Sequence, residues 1–135
     1  MPMASSDKRQ TKKNRSIFQS VGHAGHGLWE VFNTERNFRY HLMIMVVIII
    51  AGFIFALNLL EWIMVLGCIA AVLVAEILNS AIERLADLAA DGKFHPLIKQ
   101  AKDIAASGVL VTALFAAIIG LLILVISYSK LKKRI

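Results

Sequence analysis

Three long apolar runs dominate the chain and decide what it can fold into. Leu42 to Leu60 carries one polar side chain, Asn58. Trp62 to Ala75 is uninterrupted, and its helical pattern continues through Glu76 to about Ala89. Ile104 to Ile126 is broken only by Ser107 and Thr112. A helix needs about 20 apolar residues to cross a hydrocarbon core about 30 Å thick. The first and third runs are long enough alone; the second is long enough if its polar continuation stands at a membrane face. Of the 135 residues, 58% are hydrophobic, more than a soluble domain of this size needs. The runs predict an all-α integral membrane protein with three transmembrane helices, at about 40–60, 62–88 and 104–127.

The segments outside the runs differ from one another. Residues 1–15 are polar and basic without apolar periodicity, which predicts a disordered tail. No apolar h-region follows that would make them a signal peptide. Over 16–34, Ile17, Phe18, Val21, Leu28, Trp29 and Phe32 recur at helical spacing, with Gln19, His23, His26 and Glu30 on the other side. This predicts an amphipathic surface helix in the membrane interface, with Trp29 at headgroup depth. Residues 16–129 then form one membrane domain, followed by a basic tail at 130–135.

The net charge of +6 sits mainly at the two ends. No base-stacking or groove-reading pattern accompanies it, so the expected partner is anionic lipid headgroups and not nucleic acid. Arg36, Arg39, Lys93, Lys99 and Lys102 flank the spans on one side, whereas the turn at Asn58–Glu61 carries no basic residue. The positive-inside rule places the first side in the cytoplasm of a multi-pass plasma-membrane protein. Lys130, Lys132, Lys133 and Arg134 then fall outside, against the same rule.

The chemistry is carried by the continuation of the second run. At about 100° per residue, Glu76, Asn79, Ser80, Glu83 and Asp87 gather on one helical face. A carboxylate at the edge of hydrocarbon is expensive and is a functional candidate by default. The same membrane face receives Asn33 to Arg39 ahead of the first span and His95 to Asp103 ahead of the third. Carboxylates and an amide offer the hard oxygens that Mg²⁺ prefers beside substrate phosphates. Phosphoryl transfer needs little more: a base, Mg²⁺ on the phosphates and cations for developing charge. No Walker-type or kinase-type glycine loop is present, and Gly25-His26-Gly27 is too short to count as one.

The run Glu-Ile-Leu-Asn-Ser-Ala-Ile-Glu at 76–83, with Asn-Phe-Arg at 37–39 and Ala-Lys-Asp at 101–103, resembles the prokaryotic diacylglycerol kinase family, which includes the undecaprenol kinases. The resemblance extends from about Gly27 to Leu124. It implies a homotrimer of three-span subunits with active sites shared between subunits at the cytoplasmic face, transferring phosphate from Mg-ATP to a lipid alcohol. It implies further that Glu76 is the general base, that Glu35 and Glu83 hold Mg²⁺ with the ATP phosphates, and that Asn79 orients this cluster. Lys102 and Asp103 resemble the pair that contacts the nucleotide, and His95 matches a position in the loop over it. Arg39 matches a position near the lipid. Thr34 to Phe38 and His95 to Lys99 look like Gram-positive members, whose main substrate is undecaprenol, with diacylglycerol the alternative. Ser16, His23 and His26 depart from the family's pattern.

Other readings compete. His23, His26 and Glu30 have helical spacing that could ligate a transition metal, but no fourth ligand accompanies them. Cys68 reads as a small packing residue, and His41 and Trp62 as markers of the interface. A proton-coupled transporter with Glu76 as carrier would explain one acid in a span, but not Glu35, Glu83, Lys102 and Asp103. A non-catalytic assembly protein would leave the carboxylate stripe without purpose.

Overall fold

The computed structural model describes residues 16–135, which form four helices and no strand. The tail expected at 1–15 lies outside the described residues. Helix α1 spans Ile17–Thr34, α2 Arg36–Ile54, α3 Leu59–Ala90 and α4 Pro96–Arg134. The last three are long and apolar enough to cross a membrane.

Capping chemistry sets the boundaries. Ser16 accepts the backbone N–H of Gln19 at 3.2 Å and starts α1 where the surface helix is expected. Glu35 is extended and turns the chain directly into α2. Arg39 reaches back to the carbonyls of Phe32 and Asn33, at 2.8 and 3.0 Å, satisfying the open end of α1.

Helix α2 begins and ends earlier than the span expected at 40–60. The N–H of Leu57 bonds the carbonyl of Gly52 at 3.1 Å, and that of Ala56 bonds Phe53 at 3.2 Å. These are the paired bonds of a Schellman stop. Ala56 takes the left-handed position, with φ 51°, where glycine is usual. The apolar run therefore passes through a turn, and α3 starts at Leu59, ahead of the expected residue 62. There Asn58 and Glu61 form a reciprocal capping box, with bonds of 2.9 and 3.0 Å. Helix α3 ends at Ala90, with Asp91 in the left-handed region. His95 caps α4 through Nδ1, which accepts the N–H of Leu97, and Pro96 occupies the first turn. Residues 130–134, expected as a separate tail, are the last turns of α4.

Helices α3 and α4 form the main antiparallel pair, pinned near both ends. Lys130 donates to Glu61 at 2.6 Å, and Lys102 donates to Asp87 at 2.8 Å. Roughly 39 Å of α3 separates these ion pairs at about 1.5 Å per residue, more than a bilayer's hydrocarbon core. The basic end of α4 thus meets the acid at the start of α3, which answers part of the charge conflict there.

Helix α2 packs on α3 through Gly52, Phe53 and Trp62. A Cβ on Gly52 would lie 2.6 Å from the Trp62 ring, so no side chain fits without displacing it. The backbones of helices α2 and α4 do not approach each other closely. Between them runs an apolar groove of about 440 Å³, lined by Ile44, Ile48, Val72, Ala113, Ala117 and Gly120 among others, with His41 at its edge. The buried apolar residues are few: Val31, Phe38, Val65, Val72, Ala86 and Ile123. Large apolar side chains such as Phe53, Phe115 and Leu121 stand outward, as on helices whose solvent is lipid.

Candidate active site

Among the described residues four polar or charged ones are buried: Glu61, Glu76, Ser80 and Ser127. Two of them lie on the polar stripe of α3. Glu76, 4% exposed, leads the stripe, and Ser80, 2% exposed, follows one turn on. Glu76 Oε1 lies 3.0 Å from His41 Nε2 on α2. A carboxylate this buried needs such a partner, because an isolated buried charge is strongly disfavoured.

One turn below, Asn79 donates from its amide nitrogen to Glu83 Oε1 at 3.2 Å. Its Oδ1 is buried and has no hydrogen-bond partner. The stripe therefore presents a carboxylate beside an unused amide oxygen, a hard-oxygen set of the kind Mg²⁺ takes. Within one copy, however, no group of three or more His, Cys, Asp or Glu that could hold a metal forms among the described residues, and this includes His23, His26 and Glu30.

Arg84 occupies the space between α3 and α1. It donates to the Thr34 hydroxyl, and its guanidinium nitrogens stand 3.7 Å from Glu35 and 4.0 Å from Glu30. Glu35 is thus held by a cation and is not paired directly with Glu83. Lys102 and Asp103 also part company: Lys102 reaches Asp87, whereas Asp103 pairs with Lys99 one turn earlier in α4. His95 is spent on the start of α4, and Arg39 on the end of α1. The expected residues thus form three groups, Glu76 with His41, Asn79 with Glu83, and Glu35 with Arg84. Of the other residues expected at the nucleotide, His95 lies at the α3–α4 connection and Lys102 and Asp103 lie in the second turn of α4.

The sequence alone marks His41 only as an interface residue, and offers Arg84 and Lys102 only as structural partners for the carboxylates of the α3 stripe. The only signal for either was the presence of acids at helical spacing that would need a cation or donor.

Comparison with known proteins places the chain in a family. The family model for prokaryotic diacylglycerol kinase matches residues 22–124. An undecaprenol kinase of Bacillus subtilis is 46% identical over 121 residues, covering 90% of this chain and 96% of the relative. A diacylglycerol kinase of Synechocystis sp. is 33% identical over 118 residues, covering 84% and 67%. One of Helicobacter pylori is 31% identical over 111 residues, covering 82% and 85%. With a polar stripe on α3 that is buried at Glu76 and Ser80, three helices fit to span a membrane and a match over most of its length, this chain belongs to the prokaryotic diacylglycerol kinase family.

Proposed function

We propose that this kinase phosphorylates a membrane lipid alcohol with ATP and that undecaprenol is its main acceptor, diacylglycerol a lesser one. Membership of the family makes the chain an ATP-dependent lipid kinase. The choice of lipid rests on the similarity to the undecaprenol kinase of Bacillus subtilis. The observation that carries the chemistry is Glu76, a buried carboxylate at the head of a polar helix face.

In this reading Glu76 takes the proton of the lipid hydroxyl as its oxygen bonds to the γ-phosphorus and ADP leaves. Glu83 and Glu35 would hold Mg²⁺, with Asn79 orienting Glu83. Bound Mg²⁺ supplies neutralisation of the phosphate charge. Lys102, Asp103 and His95 contact the nucleotide, and Arg39 stands near the lipid. The site is completed between subunits of a homotrimer, as the family resemblance implies. Helix α1, with Ile17, Phe18 and Trp29 uncovered, lies in the membrane interface. The site faces the cytoplasm, the side on which Arg36, Arg39 and Lys93 flank the spans.

Competition between undecaprenol and diacylglycerol at equal mole fraction in mixed micelles, followed by γ-phosphate transfer from labelled ATP, tests the lipid choice. Discrimination comes from the first atoms beyond the hydroxyl, isoprenyl on one side and ester carbonyls on the other. A kcat/KM ratio of roughly ten- to two-hundred-fold favouring undecaprenol is expected. A ratio favouring diacylglycerol overturns the choice, and transfer to neither overturns the activity.

Glu83→Gln and Glu35→Gln should each raise the Mg²⁺ needed for half-maximal rate by about tenfold or more, since each removes a hard anionic ligand. Titrating Mg²⁺ at fixed ATP checks this. Unchanged half-saturation in both variants would remove the metal role.

A further inference from the structure

We propose that His41 is a positioning residue that holds the Glu76 carboxylate by one oxygen and leaves the other free for the lipid hydroxyl. The proposal rests on Glu76 being the base. His41 Nε2 lies 3.0 Å from Glu76 Oε1, and no other hydrogen bond or ion pair reaches that carboxylate among the described residues. The two residues belong to different helices, so the contact also fixes the register of α2 on α3.

The surroundings make the contact necessary. Trp62 to Ala75 carries no ionisable group except Cys68, so Glu76 stands roughly 22 Å along α3 from Glu61 at about 1.5 Å per residue. If Glu61 marks one face of a core about 30 Å thick, Glu76 has not cleared the other. Its side chain is 5% exposed, and that of His41 is 24% exposed. The groove that His41 borders is lined from α4 by residues without polar side chains, Ala113, Ala116 and Ala117 among them. On α3 itself Asn79 is turned to Glu83, and Ser80 makes no bond to Glu76. A donated N–H from His41 holds one oxygen of Glu76 and sets the direction of the other. During transfer that oxygen receives the hydroxyl proton while the lipid oxygen–phosphorus bond forms and the bond to ADP breaks. His41 touches neither substrate.

The test compares His41→Ala, His41→Gln and Glu76→Gln with wild type in one micelle assay on undecaprenol, with trimer integrity followed by size exclusion. Glutamine keeps an N–H near the place of Nε2 but cannot change charge. His41→Ala should lower kcat on the order of 10²-fold, the cost of about 1 Å of misplacement, with the KM for Mg-ATP unchanged. His41→Gln should recover most of the rate. A structural role alone would lower the fraction of intact protein and leave kcat per intact trimer unchanged. His41→Ala within about threefold of wild type, beside an inactive Glu76→Gln, overturns the proposal and spares the base. His41→Gln as slow as Glu76→Gln in intact trimers also overturns it, and it carries the test if the alanine variant fails to assemble. An active Glu76→Gln overturns the base assignment, and with it this inference.

Discussion

Replacing Glu76 by glutamine should leave an intact protein that binds nucleotide and turns over about 10²–10⁴ times more slowly, the usual loss when general-base help is removed. The amide keeps the volume of the side chain, and one of its atoms can still meet His41, so packing between α2 and α3 is conserved. What it lacks is an oxygen able to take a proton. The loss should therefore fall on kcat, with the KM for Mg-ATP little changed, because the nucleotide is assigned to residues elsewhere. Steady-state kinetics with a parallel nucleotide-binding measurement separates the two. Turnover within threefold of wild type would remove Glu76 from the chemistry.

The second large effect is expected at the opposite end of α3 and on stability. Glu61 is 7% exposed and holds two obligations, the reciprocal cap with Asn58 and the ion pair with Lys130. Lys130→Ala leaves a buried carboxylate whose one cation is gone. Breaking a fully buried pair costs about 3–5 kcal/mol. The Lys130 side chain is 51% exposed, so solvent screens part of the interaction and about 1–3 kcal/mol is expected here. Reversible denaturation in mixed micelles measures it. The same Lys130→Ala change made in a Glu61→Gln background should cost much less, since no buried charge is then left alone. Activity per folded molecule should be preserved, because Glu76 is roughly 22 Å away along the helix. Equal losses in both backgrounds would show that Lys130 acts through packing of its stem.

The polar stripe of α3 was legible because helical periodicity alone places Glu76, Asn79, Ser80, Glu83 and Asp87 on one side, and the structure buries that side at Glu76 and Ser80. The extent of α1 was legible through the helical spacing of Ile17, Val21, Leu28 and Phe32, though its cap at Ser16 was not. The end of α2 was not, because its stop uses Ala56 where a glycine would have punctuated the run. Asn58 and Glu61 spell a capping box that can be read in sequence, yet between two apolar runs they pass for a polar turn. Side-chain reach was the larger loss. Periodicity says which face a residue occupies but not which neighbour from another helix meets it, so His41 on Glu76 and Arg84 on Glu35 stayed hidden. Lys102 and Asp103 are adjacent in sequence and point about 100° apart once α4 begins at Pro96, which divides them between Asp87 and Lys99.

The separation of α2 from α4 has a consequence for how the chain is made. Each of the three long helices leans on the one next to it in sequence, and the contact between α1 and α3 is the one that skips a neighbour. Nothing in α1 to α3 has to wait for the last helix to leave the ribosome. The chain can close its turns in the order of synthesis, each docking event joining segments already close together, which keeps loop-closure cost low. Helix α4 is joined to α3 near both of its ends, at Lys102 and at Lys130. Among the described residues, the flank of α2 that faces the groove is left uncovered by α4 once that helix has docked on α3.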